Sequence, residues 1–330
     1  MNALKHITLA AMLAAATGAS AQTEKMVVYL SDGTTQAIPT AEIDHVEFAT
    51  AAAPTDKPIS IALNEAHALH AYITATAPAS VGTYMVMYDT KQTYDSYANE
   101  AAVVADDVNY LTQYASYYGS TLAAVLKNIL VSGTSKQLIT GILPGTAYTV
   151  WAYGMDTSAT QTTGLTTFTF TAPAVEKISN TIDVVIGQGS DGYPTATFTP
   201  DDATLYYVSG SISSQYSDEQ IEAAINSSMS NGIGNYLQQS QTVDAAIADL
   251  CDKGNVTNTL SNAQAGKEYY AVAAYVNADG AVCSPIFKQK YTGYTGTSSV
   301  ATLSASQSTK LRDFKLVKPR VMSIPAAVKH

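Results

Sequence analysis

Ile142-Leu143-Pro144-Gly145-Thr146-Ala147-Tyr148-Thr149-Val150 has a counterpart further along the chain. Gly145 and Tyr148 recur 121 residues later as Gly266 and Tyr269, within Ala265-Gly266-Lys267-Glu268-Tyr269. Thr121 and Gly133 recur at the same offset as Thr242 and Gly254. Upstream, Tyr84-Met85-Val86 returns as Tyr206-Tyr207-Val208, Tyr94 as Tyr216 and Glu100 as Glu222, each 122 residues on. Asn109-Tyr110-Leu111 returns as Asn235-Tyr236-Leu237 at an offset of 126. An ordered set of matches with small drifts in spacing marks an internal duplication with a few insertions. It divides the chain into one module over residues 57–173 and a second over residues 174–295.

Both modules follow one plan. Alternating or β-rich runs predict strands at 59–63, 69–75, 84–88, 148–153 and 165–170 in the first. The second has them at 181–186, 195–199, 205–209, 269–276 and 285–289. Between the third run and the fourth lies a segment of helical character, at about 93–132 in the first module and about 215–253 in the second. In the second, Ser217-Asp218-Glu219-Gln220 reads as a capping box, and Asp95 takes the equivalent place in the first. A later helix is expected to start from Thr121 or Thr242 as cap and to end at Gly133 or Gly254 in the left-handed conformation. Leu122, Val125, Leu126 and Ile129 share one helical face, which should pack inward. The fold class expected is mainly β with helical insertions.

The opening stretch resembles the L-x-P-G-T-x-Y-x-V segment of fibronectin type III domains. The resemblance implies two tandem β-sandwiches of the Ig-like kind, with Pro144 and Gly145 turning the chain into a strand. It also implies a tyrosine corner, in which Tyr148 returns its hydroxyl to the turn, with Tyr269 as its equivalent. The second module departs from the pattern, because Ala265-Gly266 lacks the proline. The helical insertions, and the sequence around Trp151-Ala152-Tyr153-Gly154, resemble uncharacterised fibronectin-like exported proteins of anaerobic Gram-negative gut bacteria. Residues 26–34, running on to 43–48, resemble a short N-terminal strand pair common in that group, with Asp32-Gly33 as its hairpin turn. The resemblance implies an architecture and no defined activity.

Residues 1–21 read as a secretory signal peptide. Lys5 and His6 supply the polar start, residues 7–16 an apolar run too short to span a bilayer, and Ala19-Ser20-Ala21 the small residues of a cleavage site. No cysteine follows it, so a lipid anchor of the bacterial lipoprotein type is not expected. The mature chain should run from a 22–56 hairpin segment and linker, through both modules, to a 296–330 tail, and be periplasmic or at the cell surface. Cys251 and Cys283 suit an oxidising compartment. Paired, they would close a loop of about 33 residues worth roughly 3–4 kcal/mol; two buried thiols are the alternative.

Charged residues make up 13% of the chain, and its formal charge is −10. That balance argues against non-specific nucleic-acid binding, which needs clustered cations. The charge is uneven: Lys310, Arg312, Lys315, Lys318, Arg320 and Lys329 face one acid, Asp313, in the last residues. This basic tail reads as a solvated terminus or as a segment docking on the acidic body. Residues 314–317 have the pattern of a donated edge strand, limited by Pro319.

Chemistry-bearing motifs are sparse. The five histidines show no zinc spacing; His67 and His70, three apart, fall on opposite faces if they share a strand, and His45 stands beside Asp44 and Glu47. There is no G-x-S-x-G elbow, phosphate loop or dinucleotide fingerprint, and no cofactor is implied. Asp106-Asp107 and Asp201-Asp202 are adjacent acids read as caps or turns. The one feature with binding character is aromatic. Tyr110, Tyr114, Tyr117 and Tyr118 fall in one predicted helix, where they suit contact with a sugar or a protein, or packing on the sandwich. Taken together, the expectation is a non-enzymatic exported interaction or scaffold protein of the cell envelope. Its partner would be an unidentified envelope protein or glycan. The alternative is a glycan-binding protein of a carbohydrate-uptake apparatus.

Overall fold

The computed structural model describes residues 25–29, 34–40, 54–190, 192–261 and 263–294, with short C-terminal strands at 312–313, 321–322 and 324–325. The expected signal peptide, the Asp32-Gly33 turn, residues 43–48 and most of the tail, including 314–317, lie outside the described residues. At the N-terminus β1 (Lys25–Tyr29) pairs antiparallel with β2 (Thr35–Pro39).

The chain then runs through β3 (Ser60–Ala66), β4 (Ala71–Thr76), β5 (Tyr84–Thr90), α1 (Lys91–Asp95), α2 (Glu100–Tyr117), α3 (Leu122–Ile129), β6 (Thr134–Ile139), β7 (Ala147–Gly154) and β8 (Thr166–Thr171). Strands β3-β4-β6 make one antiparallel sheet and β5-β7-β8 another. Next come β9 (Ile182–Gln188), β10 (Pro194–Pro200), β11 (Tyr206–Ser213), α4 (Asp218–Gln238), α5 (Val243–Leu250), β12 (Asp252–Lys253), β13 (Val256–Thr259), β14 (Glu268–Tyr275) and β15 (Phe287–Thr292). Here the sheets are β9-β10-β13 and β12-β11-β14-β15, the same order with one short added strand. The protein is mainly β, with its helices between the third and later strands of each set.

Alternation along the strands places the core. Tyr84, Val86 and Tyr88 of β5 point between the two sheets, where they meet Ile73 and Ala75 of β4 and Val150 of β7. Met85 and Met87, one residue out of phase, point to the other face and meet Val104, Leu111 and Leu126 of the helices. The first set of elements therefore has three layers: sheet, sheet and helices. The second repeats this, with Phe198, Tyr207 and Tyr275 between the sheets and Val208, Ile212 and Val272 under α4.

Several local expectations are corrected. The cap of α2 is Asn99, whose side chain accepts from Ala102 N at 2.9 Å, and not Asp95, which ends the additional helix α1. Thr121 and Thr242 cap α3 and α5 as read, but these helices stop at Ile129 and Leu250. Gly133 and Gly254, at φ +62° and +68°, form the turns into β6 and β13 instead. Three strands of the two sets go beyond the expected runs: β6, whose Thr134-Ser135-Lys136-Gln137 start is polar, and β12 and β13, which are only two and four residues long. Cross-strand pairing also moves the duplication by one residue. Tyr84 lies opposite Gly154, and the equivalent partner of Tyr275 is Tyr207, not Tyr206. The hydroxyls agree, Tyr84 donating to Gly133 O at 3.1 Å and Tyr207 to Gly254 O at 2.9 Å.

The described pieces of the C-terminal segment lie on sheet edges. β16 (Arg312–Asp313) runs parallel to β11, β17 (Val321–Met322) pairs with β5, and β18 (Ile324–Pro325) with β6. At these points docking, not a wholly solvated terminus, describes the tail.

Candidate functional site

Helix α2 positions the tyrosines. Val103, Val104, Val108, Leu111 and Ala115 form its buried stripe over Met85, Met87, Trp151 and Tyr153. Tyr110 and Tyr114 flank that stripe and are half-buried against it. Burial raises the phenol of Tyr110 above its usual range. Tyr117 and Tyr118 sit at the end of the helix and are 83% and 65% exposed. The four expected binding residues thus divide into two that pack and two that face solvent. The exposed rings stand edge-on to each other, 5.0 Å apart and at 84°, and Tyr118 meets Tyr114 at 4.7 Å and 49°. This is a ridge of aromatic edges whose hydroxyls have no hydrogen-bond partner among the described residues, suited to a shaped protein surface. A flat stacking platform needs coplanar rings.

The same helix buries a carboxylate. Asp107 is fully enclosed; its Oδ2 accepts from Trp151 Nε1 at 2.8 Å and from Tyr153 OH at 3.0 Å. Its Oδ1 has no hydrogen-bond partner among the described residues. Burial pushes its pKa up to about 7, the two donated hydrogen bonds pull it down, and Asp89 adds a smaller push upward. Asp106 accepts from Tyr97 OH. The expectation that Asp106-Asp107 marks a cap or turn is corrected: both lie in the middle of α2, because the helix begins at Asn99. Asp107 can meet no substrate where it stands. Asp201-Asp202 does occupy a turn, Asp201 accepting from Thr181 N at 2.9 Å and Tyr275 OH at 2.9 Å, and Asp202 from Thr204 N at 2.8 Å.

A third cluster joins the two sets of sheets. His67 and His70 occupy the turn between β3 and β4, where His67 N donates to His70 O at 2.8 Å. Their rings stack at 4.3 Å and 7°, which corrects the opposite-face reading, valid only within a strand. His67 Nδ1 lies 3.2 Å from Asp279 Oδ1, and Ala68 N donates to Asp279 Oδ2 at 3.4 Å. His70 is buried, and its pKa falls to about 4, chiefly from desolvation and then from His67. Ala68 and Leu69 enter the apolar cluster of α4, with Ile225, Met229 and Ile233. Ser230 of α4 donates to Leu69 O and accepts from Gly141 N at 2.6 Å. Gly234 lets the helix approach, since a Cβ there would lie 2.5 Å from Thr140 Cγ2. Nothing in the sequence pattern pointed to this junction, which joins residues about 160 positions apart.

The remaining singled-out residues are structural in placement. Tyr148 OH accepts from Leu143 N at 2.8 Å, and Tyr269 OH from Gln264 N at 3.2 Å, the same five-residue return in both. Gly145 and Gly266, at φ +69° and +71°, make the preceding turns, so the missing proline of the second is no obstacle. Cys251 and Cys283 are buried and not joined in a disulfide, the first under α4 and α5, the second between sheets, so the paired alternative is not the arrangement seen. Among the described residues, no group of three or more His, Cys, Asp or Glu is placed to hold a metal ion. No helix there is long and apolar enough to cross a membrane.

No family model matches the chain, and no curated protein matches it. Among solved structures, a crystal structure of the FN1–FN3 domains of chicken CNTN1 is similar over 82% of this chain and 77% of that one. The identity is 12% and the TM-score 0.24.

Proposed function

We propose that this is a non-enzymatic, exported interaction or scaffold protein of the cell envelope. In this reading it is built from two tandem fibronectin type III-like modules, and the helical insertion of the first meets a protein partner. The observation that supports it is the pair Tyr117 and Tyr118, exposed at the tip of a helix whose other aromatics are packed. Exposed tyrosines offer apolar area and a hydroxyl at low entropic cost, which is why such residues concentrate at interfaces. The ring planes support a protein partner over the alternative of a glycan, because 84° between neighbours leaves no common stacking plane. The buried state of Asp107, the most perturbed carboxylate, fits a packing role and not catalysis.

The test uses the mature protein, residues 22–330, and a Tyr117→Ala, Tyr118→Ala variant shown by circular dichroism to be folded. Both are applied to a glycan array and to cross-linking with solubilised envelope proteins. A cross-linked partner lost in the variant, with an empty array, is expected. Array binding lost in the variant would replace this reading with the glycan-binding one.

A further inference from the structure

The two sets of sheets each have a cleft at the same place in the strand order. It lies between the segment leading into the first strand, the turn between the second and third strands, and the hairpin before the last strand. In the first set it has a volume of about 520 Å3 and is lined by Lys57, Val81 and Thr162 among others. In the second it has a volume of about 530 Å3 and gains residues from α5. Both volumes fall in the range of small-molecule sites, roughly 300–1,000 Å3. Their linings differ sharply.

The second cleft has apolar walls, made by Ile178, Leu205, Ile247 and Val276. Its polar atoms are mostly engaged within the protein. Asn180 donates to Asp201, Thr204 is bonded to Asp202, and Asn277 Oδ1 accepts from Asp279 N and Ala281 N. Two carboxylates at its rim, Glu176 and Asp244, have no hydrogen-bond or ion-pair partner among the described residues. No cation lines it. Lys177 is held by Glu222 and Val282 O, and Lys253 lies over the ring of Tyr206. The first cleft is the reverse case: its walls are polar, and it contains Lys57, already paired with Glu100.

We propose that the second cleft is a binding site for an organic cation, a primary ammonium group on an apolar chain. The chain would lie along Ile178, Leu205 and Ile247, and the ammonium between Glu176 and Asp244. An ammonium there meets two unpaired acids, whereas a carboxylate of the same length meets like charge. The first cleft should not bind it.

The test is titration of n-hexylamine, n-hexanoate and n-hexanol into the full mature chain at pH 7, followed by isothermal calorimetry and amide NMR shifts. Hexylamine should bind saturably, shifting resonances around residues 176–180, 204–206 and 276–278, and none around 56–58. Glu176→Gln with Asp244→Asn keeps the shape and should weaken hexylamine about tenfold. Ala278→Trp, at an exposed lining position, should block all three probes by filling the cleft. The proposal is overturned by any of three results: no saturable hexylamine binding, equal binding of hexanoate, or an affinity unchanged in the carboxylate double variant.

Discussion

The helices inserted in the two halves share a place in the fold but not a task. In the first half, α2 rests on Trp151 and Tyr153 through Asp107 and exposes Tyr117 and Tyr118. In the second, the matching positions of β14 are Val272 and Ala274, and the helix above them is held by Ile225, Met229 and Ile233. Its far side is not displayed; Ser230 and Gly234 press it against the first half. Helices at the same place in the strand order thus form an exposed aromatic ridge in one half and a junction in the other. The difference lies in side-chain size: bulky amphipathic tyrosines at a helix tip reach outward, while serine and glycine let two backbones meet.

The largest effect expected from breaking this contrast is at Asp107. Asp107→Ala removes the acceptor of both Trp151 Nε1 and Tyr153 OH and should destabilise the first half by about 2–5 kcal/mol, read by urea unfolding with tryptophan fluorescence. The isosteric Asp107→Asn behaves differently, and pH sharpens it. The carboxyl has a folded pKa of about 7, above its ordinary value of 3.8, so the folded state holds its proton more tightly than the unfolded state. Its contribution is fully present below pH 4 and is lost as pH rises through about 7. Asp107→Asn should therefore lack that slope and gain on the natural protein between pH 5 and pH 8.

The junction should respond in the opposite sense. His70 has its pKa lowered from 6.5 to about 4, so the unfolded state binds the proton more tightly. Its contribution is present above pH 6.5 and is lost as pH falls toward 4. Acid should loosen the junction while alkali loosens the α2 cage. Hydrogen exchange of the β3–β4 turn and of α2, at pH 5 and pH 8, separates the two. Ser230→Ala, which leaves Leu69 O and Gly141 N without their partner, should cost about 1–3 kcal/mol and split one unfolding transition into two. A single unaltered transition would mean the halves are not coupled through α4.

The smallest effects are also informative. Tyr117→Ala with Tyr118→Ala should change stability by no more than about 0.5 kcal/mol, because both rings are exposed. Reductant should leave the melting temperature of both halves unchanged, because no disulfide joins Cys251 and Cys283. A drop on reduction would show that they pair in solution.

Much of this architecture is legible in the chain because strand alternation is a local signal. Met85 and Met87 against Tyr84, Val86 and Tyr88 already mark a strand buried on both faces. What failed did so for physical reasons. A Tyr-x-Val match does not tell Tyr206 from Tyr207, and only cross-strand pairing sets the register, where one residue changes the face. Adjacent acids such as Asp106-Asp107 suit a cap or turn by local pattern, and the partners that hold Asp107 inside α2, Trp151 and Tyr153, come from β7, far along the chain. The stack of His67 on His70 depends on a turn that strand periodicity does not describe. Of the four site tyrosines, helical spacing gives their shared element but not which two are exposed, since that depends on where the packed stripe of α2 ends, at Ala115.

The most direct test of the contrast sets the two helices against each other in one cross-linking experiment with envelope proteins. Tyr117→Ala with Tyr118→Ala is compared with Tyr216→Ala with Tyr236→Ala, the tyrosines of the second insertion, which are partly buried against its core. Loss of a specific cross-linked partner in the first variant, with retention in the second, is the predicted result. Retention in the first variant, or loss only in the second, would contradict the assignment of the display surface to the first half.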